Sequence, residues 1–192
     1  MKKLGYLVIA VIGNALGTAI MEASNIGMTA WGSSSLNTAG FFNLELWAGF
    51  MILSFVFYFI AVLIRRKFIF KEFVQSFLFM IGFSIFTSLF MGIVPDLESL
   101  TYVVRVFINL FGLCILLFSI AVHLKVNIAV HPMDVYLHVI QKKMGVLKGT
   151  YFSYFSGFSV AIVFGLLNNG ILGIGLGTAF TFLVSGVIMK FY

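Results

Sequence analysis

Apolar runs recur along the chain at about 4–22, 45–64, 73–94, 102–124, 150–167 and 171–190, separated by short polar marks. A helix needs roughly 20 mostly apolar residues to cross about 30 Å of hydrocarbon. Each run is near that length, so the pattern predicts six transmembrane helices. The breaks have local causes. Arg65, Arg66 and Lys67 close the second run, and Lys71 with Glu72 opens the third. Pro95, Asp96 and Glu98 end the third, and Asn168-Asn169-Gly170 marks a tight turn between the last two. Two connections, 23–44 and 125–149, are too long to be turns.

Composition names the solvent. Of 192 residues, 61% are hydrophobic and 9% charged, against about 25% charged in a soluble domain, and the mean hydropathy is +1.13. The lipid bilayer is therefore the expected partner of most of the surface, and 1–192 reads as one membrane domain. The net charge of +6 does not point to nucleic acid, because Lys and Arg sit between apolar runs rather than on a basic face. With the N-terminus in the cytoplasm, six crossings place Lys2, Lys3, Arg65, Arg66, Lys67, Lys71, Lys125, Lys142, Lys143, Lys148 and Lys190 on the cytoplasmic side. Of the 12 basic residues only Arg105 falls opposite, near the start of the fourth span. That bias is the one that orients membrane proteins, so both termini are expected in the cytoplasm. Lys2 and Lys3 before an apolar run imitate a signal peptide, but the further spans favour a retained first helix. Cys114 is the single cysteine, which leaves no internal disulfide and no cysteine-based metal site.

The chain repeats itself. A shift of 102 positions, the offset between Asn25 and Asn127, lays Asn25-Ile26-Gly27 on Asn127-Ile128-Ala129 and Ala19 on Ala121. Each half (about 4–94 and 102–190) is a span, a long connection and two more spans. Three is odd, so the second half starts from the opposite face. The fold expected is all-α, six spans in a 3+3 inverted repeat, with a broken or re-entrant short helix after the first span of each half. Such repeats place solute sites near the midplane, where broken helices meet.

Pro132 supplies the break in the second half. It disfavours helix at His131 and suits the first turn of a new helix over about 132–143. Asp134 then lies in that first turn, where the helix dipole favours a negative charge. Asp134, His138 and Gln141 follow at i, i+4 and i+7, one polar stripe. In the first half Ser33 pairs with Asn37 and Ser34 with Thr38, and Gly32 stands where the other half has Asp134. A shared cavity would have hydroxyls and amides from one side, a carboxylate and imidazoles from the other. The same connection also reads as an amphipathic helix lying on the bilayer, with Lys142 and Lys143 at the headgroups.

At these residues the sequence resembles the YczE/YitT/YyaS group of small bacterial membrane proteins. That pattern carries A-N/D-L-G-x-x-P-W/R-D-x-L after the first span of each half. The first half keeps Asn25, Gly27 and Trp31, with Ala30 and Gly32 at the proline and acid. The second keeps Asn127, Pro132 and Asp134, with Ala129 at the glycine. Gly173-Ile174-Gly175-Leu176-Gly177-Thr178 resembles the group's glycine-rich lead into the last span. The resemblance covers nearly the whole chain and implies a multi-pass protein of the bacterial plasma membrane, without a settled activity.

The candidate substrate-binding residues are Asn25, Trp31, Ser33, Asn127, His131 and Asp134. For proton or ion coupling they are Asp134, Glu22 and His123, since ionisable groups within spans mark pathways by default. Trp31 and Trp47 also suit aromatic anchoring at the interface. Arg105 is expected to reach toward Asp96 or Glu98. Gly13 and Gly17 form a GxxxG in the first span, and Gly173 and Gly177 repeat the spacing near the last; these read as helix-packing positions. No P-loop, HExxH, GxSxG or paired-cysteine motif occurs, so no enzyme, cofactor or metal site is expected. The leading function is a small-solute permease or transporter-like protein, alone, as a homo-oligomer or with partner subunits. One alternative is the substrate-binding membrane subunit of a larger ATP-driven transporter of the energy-coupling-factor type. Its first-span docking surface would be Gly13, Ala15, Gly17 and Ala19. The other is a membrane scaffold that recruits a cytoplasmic partner to 136–149.

Overall fold

The computed structural model describes residues 2–126 and 131–188. Eight helices follow in order: α1 Lys2–Ala23, α2 Ala30–Phe41, α3 Leu46–Arg65, α4 Phe70–Ile93, α5 Tyr102–Val126, α6 Pro132–Met144, α7 Val146–Leu167 and α8 Leu176–Ile188. Five of them, α1, α3, α4, α5 and α7, are long and apolar enough to cross a membrane. The sixth expected span, 171–190, is helical only over the 13 described residues of α8. Its expected first turns are instead a loop held against α2. Exposed faces of the long helices carry Leu78, Ile85, Phe107, Phe111, Phe118 and Phe155, apolar bulk that suits lipid.

α1 packs along α5, and the small residues of the first span make this possible. A Cβ on Gly17 would lie 2.7 Å from the Gly112 carbonyl oxygen, so the two backbones touch there. Gly13 faces Ser119 of α5, while Ala15 and Ala19 are fully buried. Of the surface that motivated a docking role toward a coupling subunit, Gly13 and Gly17 are thus covered by the chain's own α5, and Ala15 lies in the core cluster with residues of α3 and α4.

α2 and α6 are too short to cross. At about 1.5 Å per residue, 12 and 13 residues make about 18 and 20 Å. Both begin at a side-chain cap: Thr29 Oγ1 accepts from the Gly32 amide at 2.9 Å, and His131 Nδ1 accepts from the Met133 amide at 3.2 Å. Pro132 occupies the first helical turn, as the sequence predicts. Gly145, at φ +84°, ends α6 where an L side chain would be strained. α6 buries Pro132, Met133, Val135, Tyr136, Leu137, Val139 and Ile140, and packs on α3, α4 and α7. A helix floating on the bilayer surface would not be covered on so many sides.

α7 acts as a ruler for both short helices. Gly157, halfway along it, meets the backbone of Ala30, and Gly165 near its end meets Asn37. Toward its start, Tyr136 Oη and Ser156 Oγ lie 3.0 Å apart, and Gly149 meets the backbone of Gln141. So α2 and α6 both begin near the middle of α7 and run toward opposite ends. Each also packs against α3.

Buried polar groups fix the connections, because an unpaired one is costly. Asn109 of α5 is 1% exposed, and its Nδ2 donates to Ser24 Oγ at 2.9 Å, the Gly27 carbonyl at 2.8 Å and the Met21 carbonyl at 3.4 Å. It therefore sets the path of the chain from α1 into α2. Asn109→Ala will strand these acceptors at a cost of about 2 kcal/mol, lowering the melting temperature by roughly 4–8 °C for a chain of this size. Thermal unfolding in detergent measures this, and an unchanged midpoint would contradict the assignment.

Candidate functional site

One cavity of about 80 Å³ lies where the starts of α2 and α6 approach each other. All eight helices or their caps contribute to it. α1 gives Asn14 and Thr18; the α2 end gives Thr29 and Trp31; α3 and α4 give Phe50 and Phe83. α5 gives Leu116, Leu117 and Ile120; the α6 end gives His131, Met133, Asp134 and Leu137; α7 and α8 give Tyr154 and Thr181. Among the described residues no Lys or Arg lines it.

The short helices are held together by rings at this point. Trp31 meets Phe57 edge-on with centroids 4.7 Å apart, and Tyr136 at 6.2 Å. Phe57 in turn meets Tyr136 at 4.9 Å. Trp31 is consequently a wall of the cavity and not an interfacial anchor; Trp47 is the exposed tryptophan, its indole donating to Glu45 at 2.7 Å.

His131, Asp134 and His123 come together. His123 Nδ1 stands 4.0 Å from Asp134 Oδ2, with the imidazole stacked on Phe79 at 4.6 Å. The His131 ring lies edge-on to Phe79 and Phe83. Its Nδ1 accepts from the Met133 amide. Asp134 is the acidic side chain at this end of the cavity.

Other candidates go elsewhere. Glu22 and Asn25 line a separate vestibule of about 450 Å³ with Asp96 and Glu98, where the Asn25 amide donates to Glu98 at 2.8 Å. Arg105 does not reach these acids: its guanidinium lies over the Tyr102 ring, 6.0 Å from the centroid. Ser33 does not line the cavity, because its hydroxyl donates to the Gly173 carbonyl at 2.6 Å. Asn37 likewise ties α2 to the loop before α8, donating to the Leu172 carbonyl at 2.8 Å and accepting from the Leu172 amide at 2.9 Å. Gly173 is not within the last helix; it sits in that loop at φ +69°, against Ser33 and Leu36 of α2. Gly177 does begin a helix, and it meets Asn109 and Gly27. Asn127 lies outside the described residues.

The polar stripe of α6 is divided among three surroundings. Asp134 faces the cavity, and Gln141 donates to Thr150 Oγ1 at 3.0 Å. His138 lines a second vestibule of about 560 Å³ with Arg65, Lys67, Glu72, Lys142 and Lys143. Sequence reasoning missed Thr18, Phe50, Phe83, Tyr154 and Thr181 as lining residues. Each looks like ordinary span content, and only the packing of distant helices distinguishes it. Asn14 differs, since a polar residue between Gly13 and Gly17 stands out in an apolar span.

Among the described residues no three of His, Cys, Asp and Glu are grouped as a metal ion would require. Rings, hydroxyls, one amide and one carboxylate can enclose and orient a small molecule. No curated protein and no solved structure matches the chain. A family model matches residues 1–192, and the chain belongs to the family it describes, the Family of unknown function (DUF6198).

Proposed function

We propose that the protein is a small-solute permease of the membrane, with its binding site between two inverted repeats of about 4–94 and 102–190. The observation that carries this reading is the cavity at the meeting of two half-length helices, lined from all eight helices. Four pairs of positions related by the shift of 102 both line it: Asn14 with Leu116, Thr18 with Ile120, Thr29 with His131, and Trp31 with Met133. Two copies of one motif facing a common space are what a twofold relation would produce. The opposite courses of α2 and α6 along α7 support the inversion, and the short helices have the broken-helix form that solute sites use. Non-helical backbone before α2 is tolerated at depth because protein surrounds it.

In this reading Trp31, His131 and Asp134 contact the solute, and Asp134 with His123 handles a coupled proton or ion. Glu22 and Asn25 belong to an entrance, and no covalent chemistry is performed. The positive-inside bias puts the basic vestibule and both termini in the cytoplasm. The likeness to the YczE/YitT/YyaS group, and with it a bacterial plasma membrane, is part of the proposal.

Labelling tests the architecture. In a Cys114→Ala background, Phe42→Cys after α2 and Lys143→Cys in the last turn of α6 each place one thiol at an exposed position. A membrane-impermeant maleimide should modify Phe42→Cys on intact cells, and Lys143→Cys only after permeabilisation. Modification of both from one side would overturn the inverted arrangement and the shared site. Native mass spectrometry of gently extracted protein then looks for the retained solute.

A further inference from the structure

The permease reading leaves the solute's chemistry open, and the walls of the cavity narrow it. Trp31, Phe50, Phe83 and Tyr154 bring four aromatic rings to one small space, with Asp134 the carboxylate among them. Ring faces are electron-rich and attract cations, most strongly where water is excluded, and aromatic cages are the usual receptors of alkylated ammonium groups. A carboxylate beside such rings supplies the counter-charge.

The opposite assignment, an anion held by the two helix starts, is disfavoured by the caps. At α6, Pro132 has no amide hydrogen, Met133 donates to His131 Nδ1, and Asp134 and Val135 donate to the His131 carbonyl at 2.8 and 3.1 Å. At α2, Gly32 and Ser33 donate to Thr29 at 2.9 and 2.8 Å. The chain itself therefore takes up most of the donors an anion would use, and Asp134 would repel it. A separate vestibule of about 450 Å³ has the matching sign: it is lined by Glu22, Asp96 and Glu98 and, among the described residues, by no Lys or Arg. A surface of that sign concentrates cations.

Resting on the permease reading, we propose that the central cavity binds a small organic ammonium ion, its charge against Asp134 and its alkyl groups among Trp31, Phe50, Phe83 and Tyr154. A cavity of 80 Å³ has room for on the order of five water-sized groups, which sets the ligand at a few heavy atoms.

Tetramethylammonium and tert-butanol are nearly one shape and separate charge from size, and the somewhat larger pivalate carries the opposite charge. The full chain in lipid nanodiscs would carry Trp47→Phe, leaving Trp31 as the one indole, and would be titrated at pH 8, above the ordinary imidazole range. Tetramethylammonium should change Trp31 fluorescence saturably, and tert-butanol and pivalate should not. Asp134→Asn should weaken the response at least tenfold; if that variant does not fold, the three-compound comparison on the unsubstituted Asp134 decides alone. An equal response to tert-butanol or pivalate, or no saturable response to the cation, overturns the ammonium assignment. The first two of those outcomes would leave the permease reading standing. Saturable cation binding without tetramethylammonium uptake into proteoliposomes would instead uphold the site and end the permease reading.

Discussion

A Gly17→Val protein will melt about 10 °C below the parent chain or fail to accumulate, while Gly92→Val will do neither. The contrast rests on what each side chain would meet. At Gly17 even a Cβ falls 2.7 Å from the Gly112 carbonyl oxygen and 2.8 Å from the Leu116 Cβ and amide nitrogen. Two of those three atoms are backbone, so neither can turn aside. At Gly92 nothing lies within 4 Å. Both glycines are helical, so the change in helix propensity is shared and cancels from the comparison. Overpacking of this kind costs about 3 kcal/mol or more, and each kcal/mol moves the midpoint by roughly 2–4 °C in a chain of this length. Thermal unfolding of the two variants side by side measures it. Equal midpoints would mean that α1 and α5 do not approach as described.

Thr18→Phe should do the reverse, keeping the fold and losing the ligand. Thr18 is 4% exposed and lines the cavity from α1. A phenyl group there enters space that holds no protein atoms. Filling a void recovers dispersion contacts and apolar burial, so stability is expected to hold within about 2 °C or rise. The same ring denies the space to a solute. Any molecule retained by the parent chain in native mass spectrometry should vanish, together with the response of Trp31 to tetramethylammonium. This split between stability and binding is what separates a site from a packing defect. Unchanged binding in a folded Thr18→Phe protein would place the solute elsewhere.

The parts of the structure legible in the sequence are those with local causes. Run length located the five long helices, and Pro132 with its neighbours located the start of α6 to the residue. The turn at Asn168–Gly170 was equally plain, and Asn169 takes the positive φ of 59° that such a turn needs. What could not be read were pairings across more than a hundred positions. Ser33 and Asn37 look like cavity lining because they are polar and spaced for one helix face. Their partners, Gly173 and Leu172, are 140 and 135 residues away. The loop they hold replaces the expected first turns of the last span. The α6 stripe failed as a single surface because three different neighbours meet it along its length.

The packing of the short helices also bears on how the chain is made. α2 leans on α7 as well as on its own neighbour α3, and α6 leans on α3 as well as on α7. Each half of the polypeptide thus inserts an arm into the other, as in a handclasp. The hydroxyl of Ser33 acquires its long-range acceptor, and the amide of Asn37 its second one, only once residues 172–173 have been synthesised. During translation α2 therefore lacks part of its packing until the carboxyl-terminal segments follow. Neither piece alone is a finished object, and assembly is completed from the far end of the message.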